Sequence, residues 1–198
     1  MKNLKIKAVA ILAILTITSC SNDDTPIIVP PVNEEELITT VTAVFTPVGG
    51  GNVITLQSKD LDGDGLGNPV VSISGSFALG KTYNGEVTIL DETKTPTDNI
   101  TEEVQTEAVD HQLFYVETGT LPEFAYTPIA TSPTNYDSNG NPLGLKTIFV
   151  TTTAATGDLK IILRHEGNKS APGVSAGDIT NATGATDFEV TFTGIVVE

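Results

Sequence analysis

The chain is short of cations, cysteine and large aromatics, and each shortage removes a class of function. Lys and Arg total 10 against 25 Asp and Glu, a formal charge of −15. Unaided binding to nucleic-acid phosphates or anionic lipid headgroups is therefore excluded. One cysteine, Cys20, allows no internal disulfide. Trp is absent, and 7 Phe with 4 Tyr give few platforms for stacking on sugar rings. The apolar run at 8–18 has eleven residues, too few to cross a bilayer, which takes about 20. Gly49-Gly50-Gly51 lies between two strand-like stretches rather than opening a helix, so no Gly-rich phosphate loop is read. Glu102 and Glu103 are adjacent on a helical stretch and point apart, unlike a glycosidase pair facing across a cleft. The expectation is a protein that is not an enzyme.

What is present begins with a targeting signal. Lys2, Lys5 and Lys7 form a basic start, residues 8–18 an apolar core, and Ile17-Thr18-Ser19-Cys20 comes directly after. The tetrapeptide resembles the bacterial lipobox, in which the Cys is lipidated and becomes the mature N-terminus. Several acyl chains on Cys20 would anchor stably where one would not. An ordinary signal peptide with an incidental Cys is the alternative. Without residues 1–19, the remaining 179 carry −18, because three of the ten cations leave with the signal. Residues 20–36 read as a flexible acidic tether, since Pro26, Pro30 and Pro31 disfavour helix and sheet interior. Ser21-Asn22-Asp23-Asp24 resembles the acidic stretch by which Bacteroidota send lipoproteins to the cell surface, the alternative being a merely soluble linker. The expected address is the outer membrane, at the cell surface or the periplasmic face, through a lipid anchor. An outer-membrane receptor is the expected kind of neighbour.

From Leu37 to Glu198 the apolar pattern has mostly period two. In 39–46, Val41, Ala43 and Phe45 share one face and Thr40, Thr42 and Thr46 the other, with Val44 as the exception. A glycine-rich turn then leads to 53–58, where Ile54 and Leu56 point inward to complete a hairpin. Further strands are expected at 70–74, 86–91, 111–117, 122–127, 146–152, 158–165 and 187–197. One stretch breaks the period: in 99–110, Ile100, Val104 and Ala108 recur at helical spacing, with acids in the first turns and Thr97 or Asp98 as cap. The reading is an all-β domain over 37–198, an antiparallel two-sheet β-sandwich, immunoglobulin-like or jelly-roll-like, with one short helix near 99–110.

The mature chain also resembles a set of small, uncharacterised Bacteroidota lipoproteins. The resemblance rests on 33–41 (NEEELITTV), the loop 59–65 (KDLDGDG), Ile100-Thr101-Glu102-Glu103 with Asp110-His111-Gln112, 137–142 (DSNGNP) and 164–169 (RHEGNK). Such sequences often carry the label "type 1 periplasmic binding fold superfamily protein". That label implies two domains of alternating strands and helices, whereas the period-two pattern implies a sandwich. The resemblance brings no activity with it.

Two groups of side chains carry candidate chemistry. Asp60, Asp62 and Asp64 with Gly65 match the first half of an oxygen-ligand calcium loop. Position 12 is Val71 rather than Glu, which rejects a full EF-hand, while Asn68 at position 9 is a further oxygen donor. Calcium is the candidate cofactor, and a tight Asp-Gly turn is the alternative. Asp137-Ser138-Asn139-Gly140-Asn141-Pro142 reads as a plain turn. The second group contains the two histidines. With one more helical turn, Glu103, Glu107 and His111 line one face, and strand parity places His165 inward, followed by Glu166. Glu107, His111, His165 and Glu166 are thus candidate transition-metal ligands, against the alternative of two hydrogen-bonded structural histidines. The polar stretch 166–186 reads as a recognition loop, a mobile flap or tolerated surface excess.

Two function classes remain: a non-catalytic binding module tethered to the envelope, or a structural or adhesive lipoprotein with no small-molecule site. The anchor is open to direct test. Cys20→Ala is expected to leave the protein soluble or uncleaved on membrane fractionation; a variant that is processed and sediments like wild type would sink the anchor.

Overall fold

The computed structural model describes residues 37–60 and 69–198. Nine strands and one α-helix lie among them: β1 (Thr40–Pro47), β2 (Ile54–Lys59), β3 (Val70–Ile73), β4 (Thr82–Leu90), α1 (Ile100–Thr106), β5 (His111–Glu117), β6 (Phe124–Tyr126), β7 (Lys146–Val150), β8 (Ala155–His165) and β9 (Ala185–Val197). They form a six-stranded sheet in the order β3-β2-β1-β4-β7-β6 and a three-stranded sheet in the order β5-β8-β9. Every pair of neighbouring strands is antiparallel. This is the all-β sandwich that the period-two pattern implies, and the alternation of strands and helices suggested by the family label is not found among the described residues.

The alternation in β1 explains its place. Val41, Ala43 and Phe45 are buried, Thr42 and Val44 are half-buried, and Phe45 sits opposite Ile54 across the β1–β2 hairpin. In β4, Tyr83, Gly85, Val87 and Ile89 alternate inward. Gly85 is required there, because a Cβ would collide with Thr147 Oγ1 and come within 2.7 Å of the Phe45 ring.

The helix is shorter than its sequence pattern. It ends at Thr106, and 107–110 continue as turns before β5 begins at His111. Its first flanking residue is Asn99 rather than Thr97 or Asp98, because Asp98 is committed to a bridge with Asp91 through two backbone hydrogen bonds. What holds α1 is burial of Ile100 and Val104, and the hydroxyl of Thr101. That hydroxyl accepts from Ile89 N at 2.8 Å and donates to Ile89 O at 3.1 Å. Strand β7 pairs with β4 only from Thr82 to Glu86, so Thr101 supplies the partners that Ile89 lacks on that side.

The inner faces of both sheets enclose one main core. At its centre is Phe77, which lies outside the strands. Its backbone pairs with Val196 and Glu198 at the end of β9, while its ring meets Phe45, Tyr83 and Phe149 edge-on at centroid distances of 5.4, 5.0 and 4.9 Å. One residue therefore joins the small sheet by hydrogen bonds and the large sheet by ring contacts. A second, smaller core covers the outer face of the three-stranded sheet, where Phe114 and Ile162 pack against Val174 and Ala182 from the β8–β9 connection. That connection carries two short 3-10 turns, Val174–Ala176 and Ile179–Asn181. It is a packed cover, held by two apolar anchors that its small, polar composition conceals.

Because Phe77 is fully buried and holds both sheets, Phe77→Ala is expected to lower unfolding free energy by about 3–5 kcal/mol. Urea unfolding followed by far-UV circular dichroism measures this, and a loss below about 1 kcal/mol would remove Phe77 from the centre of the core.

Candidate metal centre

The site is built by strand register. In the β5–β8 ladder, His111 stands directly opposite His165. His111 opens β5 and His165 closes β8, both with buried side chains, so the two imidazoles meet at one end of the small sheet. Their rings lie nearly parallel, with centroids 4.5 Å apart and planes 12° apart. Glu107 comes from the turn after α1, and donor atoms of Glu107, His111 and His165 lie within 4.8 Å of one another. Three of the four residues expected from sequence thus converge.

The fourth does not. Glu166 is exposed with φ +52°, and its N–H donates to Asp110 O. The left-handed turn at the end of β8 carries its side chain out of the cluster. Glu103 is likewise exposed on α1, because the helix ends before His111 can join its face.

A further acid, Asp187, stands beside the histidines, and sequence parity does not reveal it. In β9, Phe188 pairs with Leu163 and Thr186 pairs with Arg164, so Asp187 is the extra residue of a bulge. Val190 and Phe192 fill the inward positions of this strand. Strict alternation would therefore turn Asp187 outward, and the bulge reverses it. Its side chain is 0 % exposed, with carboxylate oxygens 3.6 Å from His111 Nε2 and 3.9 Å from His165 Nδ1.

Hydrogen bonding orients one ring. His111 Nδ1 lies 3.2 Å from the Glu107 carbonyl oxygen. A carbonyl only accepts, so Nδ1 carries a proton and Nε2 is the nitrogen that faces Asp187. A metal-binding histidine is ordinarily fixed in this way. Among the described residues, Glu107 Oε2 is buried and accepts no hydrogen bond. A buried carboxylate oxygen without a donor is costly, and a cation is the natural complement. Two imidazole nitrogens and carboxylate oxygens make a donor set suited to Zn²⁺ and similar divalent transition metals. Such an ion with bonds of about 2.0–2.1 Å holds tetrahedral donors about 3.3 Å apart. The side chains must therefore draw together, and one imidazole must turn about its Cβ–Cγ bond so that both in-plane lone pairs converge.

Beside the cluster, Lys169 ties three loops together. Its Nζ donates to Ala108 O at 2.6 Å and pairs with Asp137 Oδ2 at 3.1 Å, with the two side chains 5 % and 1 % exposed. Asp137 Oδ1 accepts from the N–H groups of Asn139 and Asn141, which makes 137–142 the turn expected from sequence. Burial pushes the Asp137 carboxyl up, but the Asn141 N–H, Lys169 and the Asn139 N–H outweigh it and hold it below its ordinary 3.8. At Lys169 the balance falls the other way, since burial lowers the ammonium despite the attraction of Asp137. Asp137 governs the acid behaviour of the pair, because its ionised form is held by three donors at once.

The calcium loop is only partly described. Asp60 comes after β2, and its N–H donates to Thr39 O. Lys59 pairs with Val70, so strands rather than EF-hand helices flank the loop. Asp62, Asp64 and Asn68 lie outside the described residues, as does Cys20.

Several hollows lie elsewhere, among them one of about 280 Å³ beside Ile38, Ser58 and Phe188. One of about 500 Å³ opens on the outer face of the large sheet beside Thr46, Asn84, Glu86 and Lys146. Another of about 270 Å³ lies beside Tyr115, Glu117, Tyr126 and Asp178. None of these three includes a member of the histidine cluster. No helix among the described residues is long and apolar enough to cross a membrane. Set against known proteins, the chain matches no family model, no curated protein and no solved structure.

The Lys169–Asp137 pair has a signed pH consequence. A carboxyl held below 3.8 in the folded state contributes stability that is fully present above that value and is lost as pH falls through the lower folded one. Lys169→Met, which leaves a buried carboxylate without its cation, is expected to cost about 3–5 kcal/mol at neutral pH. The gap from wild type should narrow in urea unfolding carried from pH 6 to about pH 2; a gap that stays constant would contradict the assignment.

Proposed function

We propose that this protein is a non-catalytic binding module tethered to the bacterial envelope through Cys20, and that its site takes a divalent transition-metal ion at Glu107, His111 and His165. The observation that carries the reading is the convergence of these three donors, with a buried oxygen of Glu107 that accepts no hydrogen bond among the described residues. The tether and address rest on the basic start, apolar run and lipobox-like Ile17-Thr18-Ser19-Cys20. The site fits binding better than catalysis, because the imidazoles are buried and none of these hollows reaches them. A buried site of this kind holds its ion through the protein's own ligands instead of opening it to a substrate.

An ion that binds only the folded chain stabilises it by about 2.7 kcal/mol at a free concentration 100 times the dissociation constant. For a domain of this size that raises the melting temperature by roughly 5–10 °C. Zn²⁺ is the probe: calorimetric titration should show one ion per chain, and the melting temperature should fall again with chelator. His111→Ala and His165→Ala should each abolish the saturable shift. Magnesium should produce little change, since it favours all-oxygen octahedral sites. A wild-type chain whose melting temperature ignores Zn²⁺ at millimolar concentration would end this reading.

A further inference from the structure

The position of Asp187 carries the metal reading further, and the role inferred for this residue rests on that reading. Asp187 lies in the β9 bulge between Thr186 and Phe188, and the extra residue turns a carboxylate inward where alternation would have sent it to solvent. Its two oxygens address different rings, Oδ2 toward His111 Nε2 at 3.6 Å and Oδ1 toward His165 Nδ1 at 3.9 Å. The side chain is 0 % exposed. A carboxylate that is buried, close to both imidazoles and carried by a different strand from either has the chemistry of a fourth ligand, and it joins the other three as the side chains draw together.

We propose that Asp187 completes the donor set with Glu107, His111 and His165, so that the ion is held in a closed, four-coordinate site that clips together the two feet of the 166–186 connection.

The topology gives the clip its consequence. His165 is the last residue of β8 and Asp187 the third of β9, so these two ligands stand at the start and end of the connection. Glu107 and His111 come from the turn that leads into β5. The β8–β9 ladder already closes the loop at its base, with His165 opposite Ala185, and an ion joining all four would pin that base to the neighbouring β5. Pinning that base to a second strand opposes local opening of the connection. The connection is also the cover of the small core, with Val174 and Ala182 seated on Phe114 and Ile162. Gln112, next to His111, donates through Nε2 to Val174 O at 2.8 Å and to the Tyr126 hydroxyl at 3.1 Å. Ligand position and loop position are therefore linked through adjacent residues of β5. Four protein donors leave no open coordination position, so the ion is resident in the fold.

The test uses the full chain with Zn²⁺ and with Co²⁺ as its spectroscopic substitute. Wild type loaded with Co²⁺ should show the intense visible absorption of a four-coordinate ion. Asp187→Asn, which keeps shape and removes charge, should weaken Zn²⁺ binding at least tenfold. Hydrogen exchange should slow across 166–186 when wild type binds Zn²⁺, with much less slowing in the variant. A weak six-coordinate Co²⁺ spectrum in wild type would overturn the closed site whether or not the variant folds. Zn²⁺ binding that Asp187→Asn leaves unchanged, with exchange in 166–186 indifferent to the ion, would overturn the proposal while the three-residue metal site stands. Absence of Zn²⁺ binding in wild type would instead remove the reading beneath it.

Discussion

Everything at the candidate site depends on one register, the antiparallel pairing that sets His111 opposite His165 across β5 and β8. A slip of one residue would turn each side chain to the other face of the sheet and separate the imidazoles. The same pairing places Leu113 opposite Leu163 and Tyr115 opposite Ile161, all buried. The hydrophobic pattern that forms the core therefore also fixes the polar cluster. Two imidazoles and two carboxylates brought together away from solvent carry a desolvation cost, and the arrangement must recover it. The proposed cation would contribute to that recovery, most directly at the Glu107 oxygen that accepts no hydrogen bond among the described residues.

The surrounding loops act as a frame for that cluster. Lys169 reaches from the β8–β9 connection to Ala108 in the turn after α1 and to Asp137 in the Asx turn. The buried ammonium thus spans three segments that the strands alone would leave separate. Since Ala108 comes directly after Glu107, the Lys169 contact also steadies the backbone that carries the carboxylate and the carbonyl facing His111. The connection contributes in another way as well, by covering Phe114 and Ile162 on the face turned away from the main core. Both faces of the small sheet are thereby buried, which is why β8 has the continuous run Ile161-Ile162-Leu163 where one-sided strands alternate.

Much of this is legible in the sequence, and the exceptions have physical causes. Strands with one helix follow from alternation and turn residues, since a strand buried on one face must alternate. The helical spacing overruns the helix because Ala108 continues it, while the chain turns at Glu107 to enter β5. His165 is within reach because strand parity is a local property, whereas Glu107 meets His111 through the turn at 107–110 and not along the continued helix face that their spacing suggests. Glu166 departs from the cluster because a single left-handed residue redirects the chain at the end of β8. Asp187 is hidden because a bulge inverts parity at one position and leaves no mark that spacing can register. The cover formed by 166–186 is hidden too, because its anchors, Val174 and Ala182, are isolated apolar residues with no period among small polar ones.

On this proposal the stacked histidines are a metal centre and not a self-sufficient buried pair. The most direct measurement is diffraction at the zinc absorption edge from crystals grown with Zn²⁺. One strong anomalous peak is expected among Glu107, His111 and His165, with imidazole nitrogens at about 2.0–2.1 Å and one ring turned out of its stack. Imidazoles still stacked, with no anomalous density between them, would contradict it.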